Sequence, residues 1–185
     1  MLVSALSLSA TIALAAPSGY GSADGKVRAL ALIAQADALI AWGGGQSKDT
    51  EASAKIAAAQ LAHPDSSVRY WSAIVLGNEP TVPAKQFDKL KSILAKDPAP
   101  IVQVAAARAV GIAGNTSLAL EYLVPLLSDT NKWVRLAAAI ELDEMEFDAL
   151  NARSALTRAT KDSLDKYVIR VAEKALRDLA AFSRD

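Results

Sequence analysis

Apolar residues recur along this chain with a helical period, in short runs separated by polar, turn-prone breaks. The clearest run is 129–142, where Asp-Thr-Asn-Lys-Trp leads into Val134-Arg135 and then an Ala-rich apolar stretch. The same shape returns at 65–76, 97–110 and 162–176. Aligned on one valine, the copies place Val68, Val102, Val134 and Val168 in register, 34, 32 and 34 residues apart. Four positions on stand Ser72, Ala106, Ala138 and Ala172, and eight positions on Leu76, Val110, Leu142 and Leu176. Positions 0, +4 and +8 share one helical face, and the small +4 residue lets a neighbouring helix approach. A first helix precedes each valine across a short polar turn. Such a helix–turn–helix unit cannot bury both its faces alone, and stacking on its neighbours buries them.

The expected fold class is therefore all-α: a right-handed α-α superhelix, a solenoid of about four helical pairs. The pairs are expected at about 50–78, 84–114, 117–145 and 148–182, behind an N-terminal capping helix at 26–42. The breaks between helices are chemically explicit. Gly43-Gly44-Gly45 stops the capping helix, and Asp49 or Thr50 can cap the helix 50–62. His63-Pro64-Asp65 separates that helix from 67–76, which closes at Gly77-Asn78. Pro80 and Pro83 bound a loop, and Phe87, Leu90, Ile93 and Leu94 form the next stripe. Asp97-Pro98-Ala99-Pro100 precedes a helix 101–110 that should end at Gly111. Pro125 should kink or shift the last turn of a helix at 118–127. Helices at 149–160 and 167–182 complete the series, and no stretch alternates with the period of a strand.

Residues 1–16 are uncharged and mostly Leu, Ala, Val, Ile and Ser, and Ala13-Leu14-Ala15 has the form of a cleavage site. That pattern resembles a signal peptide and implies a secreted or periplasmic protein. No Lys or Arg precedes the apolar run, and Pro17 argues against cleavage directly after Ala16. Read instead as an ordinary helix, the segment implies a cytoplasmic protein. It is shorter than the ~20 apolar residues of a membrane span, so none is expected in the mature chain. Residues 17–25 read as a Gly/Ser linker, leaving 26–185 as the helical domain.

Composition narrows the chemistry. Apolar residues make up 52% of the 185 but aromatics only 5%, so the core is built from small and aliphatic side chains. Twenty basic residues balance twenty acidic ones, which argues against nucleic acid as a partner. There is no cysteine, which excludes disulfides, thiolate metal sites and a cysteine nucleophile. A single histidine, His63, excludes a multi-histidine metal centre and is expected as a turn residue. The acidic run Glu141, Asp143, Glu144, Glu146 and Asp148 could offer oxygen ligands to a hard cation, but charge runs more often solvate a helix end. No catalytic, cofactor or metal residues are assigned.

Arg69, Arg135 and Arg170 could bind an anionic partner, but a ladder with aspartates at the turns, Asp65 and Asp129, is the favoured reading. The candidate partner-binding residues are Trp71, Lys132, Trp133 and Glu141. Aromatics anchor interfaces, although core or inter-repeat packing is the favoured reading of Trp71 and an equal one for Trp133. Glu141 stands where the other copies carry Val75, Ala109 and Ala175.

Val68-Arg69 and Val134-Arg135, the upstream Asp65, Asp97, Asp129 and Asp165, and the following Gly77 and Gly111 resemble HEAT-type repeats over roughly 51–185. Gln103 replaces the arginine in the second copy and Arg170 comes one place late in the fourth, so a continuous ladder is not expected. The resemblance implies a non-catalytic interaction or scaffold module with a protein partner. HEAT-type enzymes need more than the chain offers: a hydroxylase needs several His-Glu pairs, and a DNA-repair protein needs a basic groove. The segments at 63–78, 128–145 and 165–179 also resemble the C-terminal helical extension of some bacterial sulfatases. Those enzymes carry catalysis upstream, on a Cys- or Ser-x-Pro-x-Arg segment that this sequence lacks. That resemblance implies an accessory or orphaned part of such an enzyme, with a sulfatase-type enzyme as a candidate partner.

Overall fold

The computed structural model describes residues 57–77 and 84–182. The expected signal segment, linker, capping helix and most of the helix at 50–62 lie outside the described residues. The described residues form helices and turns with no strand. After a helical stretch at 57–60 come α1 (Ser66–Gly77), α2 (Ala84–Lys96), α3 (Pro100–Ile112), α4 (Thr116–Leu126) and α5 (Lys132–Glu144). A 3-10 helix (Glu146–Ala152), α6 (Arg153–Asp162) and α7 (Lys166–Phe182) follow. The chain divides inside α3 into two compact units, one ending at Ala109 and the other resuming at Val110.

In the first unit α1 is buried nearly all round, from Ser67 through Ile74 and again at Leu76 and Gly77. That is why so much of it is apolar rather than amphipathic. α2 buries a single stripe through Leu90 and Leu94, while Asp88, Lys89, Lys91 and Lys96 face water. Ala105, Ala106, Ala107 and Ala109 are fully buried in α3. Alanine at these positions keeps backbones close, and Gly77 takes the closest approach. A Cβ built on Gly77 would lie 3.0 Å from Ala109 Cα.

In the second unit α4 packs on α5, and α7 packs on both α5 and α6. The 3-10 helix touches α4, α5, α6 and α7. Gly114, at φ +88°, carries the backbone out of α3, and Asn115 Oδ1 accepts Leu118 N–H at 3.3 Å to cap α4. α3 thus runs through Gly111 rather than stopping there. Pro125 lies in the last turn of α4 and donates no backbone hydrogen bond there. Leu127, Ser128 and Asp129 donate to the carbonyls of Val124, Pro125 and Leu126, three residues back, so the turn tightens.

The repeat register holds in the core. Val68, Val102, Val134 and Val168 are buried, as are Ser72, Ala106, Ala138 and Ala172. Leu76, Val110 and Leu142 are fully buried, whereas Leu176 in the last copy is half-buried and Leu179 takes the interior place. One expectation is corrected. The segment 149–160 is not a single helix, because Glu146 adopts φ +50°, the chain closes a 3-10 helix over Glu146–Ala152, and α6 begins only at Arg153.

Candidate functional site: the turn edge of the repeats

Three of the four turns between paired helices are held by a two-step relay of side chains onto backbone N–H groups, and the second copy makes the first step alone. Five residues before the repeat valine stand His63, Asp97, Asp129 and Ser163. Their Nδ1, Oδ1, Oδ1 and Oγ atoms accept the N–H of Asp65, Ala99, Asn131 and Asp165, at 3.0, 2.9, 2.7 and 3.1 Å. Asp65, Asn131 and Asp165 then accept the N–H of Ser67, Trp133 and Tyr167, at 2.8, 3.0 and 2.9 Å. These bonds satisfy donors that a helix start leaves without an internal partner. In the second copy Ala99 has no acceptor, and Pro100 opens α3 instead. His63 is therefore a turn residue: its Nδ1 accepts, so the neutral ring carries its proton on Nε2.

The residue after the valine ties down its own turn. Arg69 Nη1 donates to the carbonyls of His63 and Pro64 at 2.8 and 2.9 Å, and Arg135 Nη1 to those of Asp129 and Thr130 at 2.7 and 3.0 Å. Gln103 Nε2 makes the matching bond to Asp97 O at 2.8 Å. Arg69 does more. Its Nε and Nη2 donate to Asp97 Oδ2 and Oδ1 at 2.7 and 2.9 Å, a buried fork-to-carboxylate pair reaching into the next copy. The hydrogen bond to Asp97 holds the guanidinium above its ordinary pKa against desolvation, and the charges of Asp97 and Asp65 add to it.

The expected ladder is thus corrected in form. Its rung runs forward to the next copy, from Arg69 to Asp97, while Asp65 and Asp129 cap turns. The fourth copy has Ile169 after the valine, and Arg170 is exposed. Among the described residues Arg69–Asp97 is the only rung of this kind.

Two of the candidate partner-binding residues are not at the surface. Trp71 is 6% exposed and packs edge-on against Tyr70, with ring centroids 5.4 Å apart. Glu141 is 5% exposed. Lys132 and Trp133 do lie at the turn edge, with Lys132 Nζ 5.1 Å from the indole centroid. The next copy repeats the pair at the same two positions. Lys166 Nζ lies 5.2 Å from the ring of Tyr167, and Tyr167 is 54% exposed. Leu164, on the turn before Tyr167, is fully exposed. Reading the copies against one another just ahead of the valine would have found Lys166-Tyr167; Leu164 carries no such signal.

The acidic run disperses. Asp143 bonds Lys174 Nζ through both carboxylate oxygens at 3.0 and 2.8 Å, and Lys174 also reaches Asp178 at 3.0 Å. Glu144, Glu146 and Asp148 point outward. Among the described residues no three His, Asp or Glu side chains converge as metal ligands. No helix among them is long and apolar enough to cross a membrane.

Residues 87–177 match the HEAT-repeat family. That match covers just under half of the 185 residues, and the described helices have an all-α organisation consistent with a HEAT-like solenoid. No curated protein and no solved structure matches it.

Proposed function

We propose that the chain is a non-catalytic protein-interaction or scaffold module, and that its contact surface is the turn edge of the third and fourth repeats. HEAT repeats as a class present stacked helical surfaces to protein partners. The observation that carries the reading is the Lys–aromatic pair at one repeat position in two consecutive copies, Lys132–Trp133 and Lys166–Tyr167. Trp133 and Tyr167 belong to the residue types that anchor interfaces, and a lysine over each ring keeps the aromatic soluble while it waits for a partner. The apolar segment 1–16 supports placing this module outside the cytoplasm.

A photo-reactive phenylalanine at 133 or at 167 tests it, with the same probe at the exposed Ser154 as control. Positions 133 and 167 should give one adduct of common mass in extracts of the source cell, and position 154 should not. Adducts at all three positions, or at none, would refute the assignment of the edge. The alternative is an accessory or orphaned C-terminal part of a sulfatase-type hydrolase. It rests on sequence resemblance, and a sulfatase reading frame beside the gene is the observation that would support it.

A further inference from the structure

Two cavities in this protein occupy the same place in the repeat. One, of about 380 Å³, includes Leu61, Arg69, Ser92 and Asp97 in its wall. The other, of about 360 Å³, includes Leu127, Arg135, Arg158 and Ser163. Ten of the eleven lining positions of the first recur in the second when 66 is added to the residue number. They are the same pocket, two repeats apart, and the charged side chains differ at four positions.

In the first pocket the arginine fork is closed from within. Arg69 Nη1 is pinned by two turn carbonyls, and the Nε–Nη2 edge takes both oxygens of Asp97. In the second, Arg135 Nη1 is pinned by the two corresponding carbonyls, so the guanidinium is anchored in the same way. The residue that corresponds to Asp97 is Ser163, whose hydroxyl caps Asp165 N–H. Among the described residues no side chain supplies a carboxylate to the Nε–Nη2 edge. Ser92 becomes Arg158, so two guanidinium groups line one cavity, while the two lysines of the first pocket give way to Ala155 and Asp162. Asp129 and Asp162 also line it. Asp129 Oδ1 is taken by Asn131 N–H at 2.7 Å, and neither carboxylate forms an ion pair with Arg135 or Arg158.

We propose that the Arg135–Arg158 cavity is a carboxylate-binding site, in which a ligand's carboxylate takes the place that Asp97 fills in the sister pocket. An anchored guanidinium edge offers two parallel N–H donors, the geometry that carboxylates bind in bidentate fashion. Val124, Leu127, Ala155 and Ala159 give the wall an aliphatic part beside Ser128, with the exposed Leu164 at the rim. The ligand is thus a carboxylate with an apolar neighbour. Such a group comes from an acidic peptide segment of a partner or from a small organic acid. The peptide source rests on the interaction reading above; the site itself rests on the comparison of the two pockets.

The arginine Nε–Hε resonances report on the edge directly. Full-length protein is titrated at constant ionic strength with sodium succinate in one arm and with acetyl-Leu-Asp-Leu-amide in the other, sodium chloride serving as baseline. The Hε signal of Arg135 should move saturably with at least one probe while that of Arg69 stays still, and the probe that moves it names the source. Ser163→Asp supplies the internal carboxylate, and aspartate at this position in the second copy also makes the turn cap. In that variant the response should weaken about tenfold or more, the loss of one charge-assisted pair. An Arg135 signal that answers neither probe, or that answers equally well in Ser163→Asp, overturns the proposal. A cross-linking failure at 133 and 167 together with a normal Arg135 response would refute the aromatic edge and leave the carboxylate site standing.

Discussion

At the scale of single residues, burial decides which of the recurring side chains matter for stability. The side chains of Asp97 and Arg69 are 2% and 11% exposed, so each is costly to leave without the other. Asp97→Asn should destabilise the protein by about 3 kcal/mol, and the Arg69→Met/Asp97→Leu pair by less than the sum of its single changes. Urea melts of wild type, Asp97→Asn, the two single changes and the double variant measure this. Gly77 is as constrained sterically as Asp97 is electrostatically. Its added methyl would meet backbone at 3.0 Å, so Gly77→Ala should cost about 1–3 kcal/mol. The same change at Gly111 meets the Ala119 and Met145 side chains at 3.4 and 3.6 Å, and it should fall within about 1 kcal/mol of neutral. Asp143 gives a titration to follow. Burial raises its pKa, and the hydrogen bond and charge of Lys174 oppose that rise. The folded protein therefore holds this proton to higher pH than the unfolded chain does. The stability contributed by this group is complete below the ordinary aspartate value and is lost as pH rises through the raised one. Lys174→Met removes the opposing influence, so carboxyl NMR should show Asp143 titrating at still higher pH. A fall in that variant would contradict the assignment.

At the scale of elements, the second helices were legible because burial writes itself into spacing. A valine, a small residue and an aliphatic at 0, +4 and +8 are what a helix buried along one side requires. Val68, Ser72 and Leu76 read as clearly as Val134, Ala138 and Leu142. Trp71 shows where that reading fails, since α1 is buried on nearly every face and spacing cannot separate core from surface there. The 3-10 helix was also hidden. Ala149, Ala152, Leu156 and Ala159 fit one continuous helix, and the break comes from a backbone torsion at Glu146 that no side-chain pattern encodes. A non-glycine residue at φ +50° carries strain. Glu146→Gly should therefore raise stability by about 1 kcal/mol, seen as a higher midpoint in thermal unfolding, with the far-UV spectrum unchanged. A lower midpoint would show that the Glu146 side chain contributes more than its backbone costs.

At the scale of the whole molecule, the all-α repeat organisation was readable from the four aligned copies, whereas the candidate site was readable only in part. Lys132 and Trp133 could be picked out in one copy. The forward rung to Asp97 and the sister cavity depend on which residue of one copy meets which residue of the next. That register is a three-dimensional fact, and the arginine at +1 taken alone points to its own turn. Once the copies are superposed, the departures from the repeat carry the information: Ser163 for Asp97, Arg158 for Ser92, and Lys166-Tyr167 echoing Lys132-Trp133. All of them fall in the second unit, so a functional surface is expected there.

The measurement that bears most directly on that expectation is the affinity of the cross-linked partner for wild type and for the Trp133→Ala/Tyr167→Ala double variant, by calorimetric titration. Interface aromatics typically carry about 2 kcal/mol or more. The double variant should bind at least about tenfold more weakly while its thermal midpoint stays near that of wild type. Unchanged affinity, or a loss that appears only together with a collapsed midpoint, would contradict the turn edge as the functional surface.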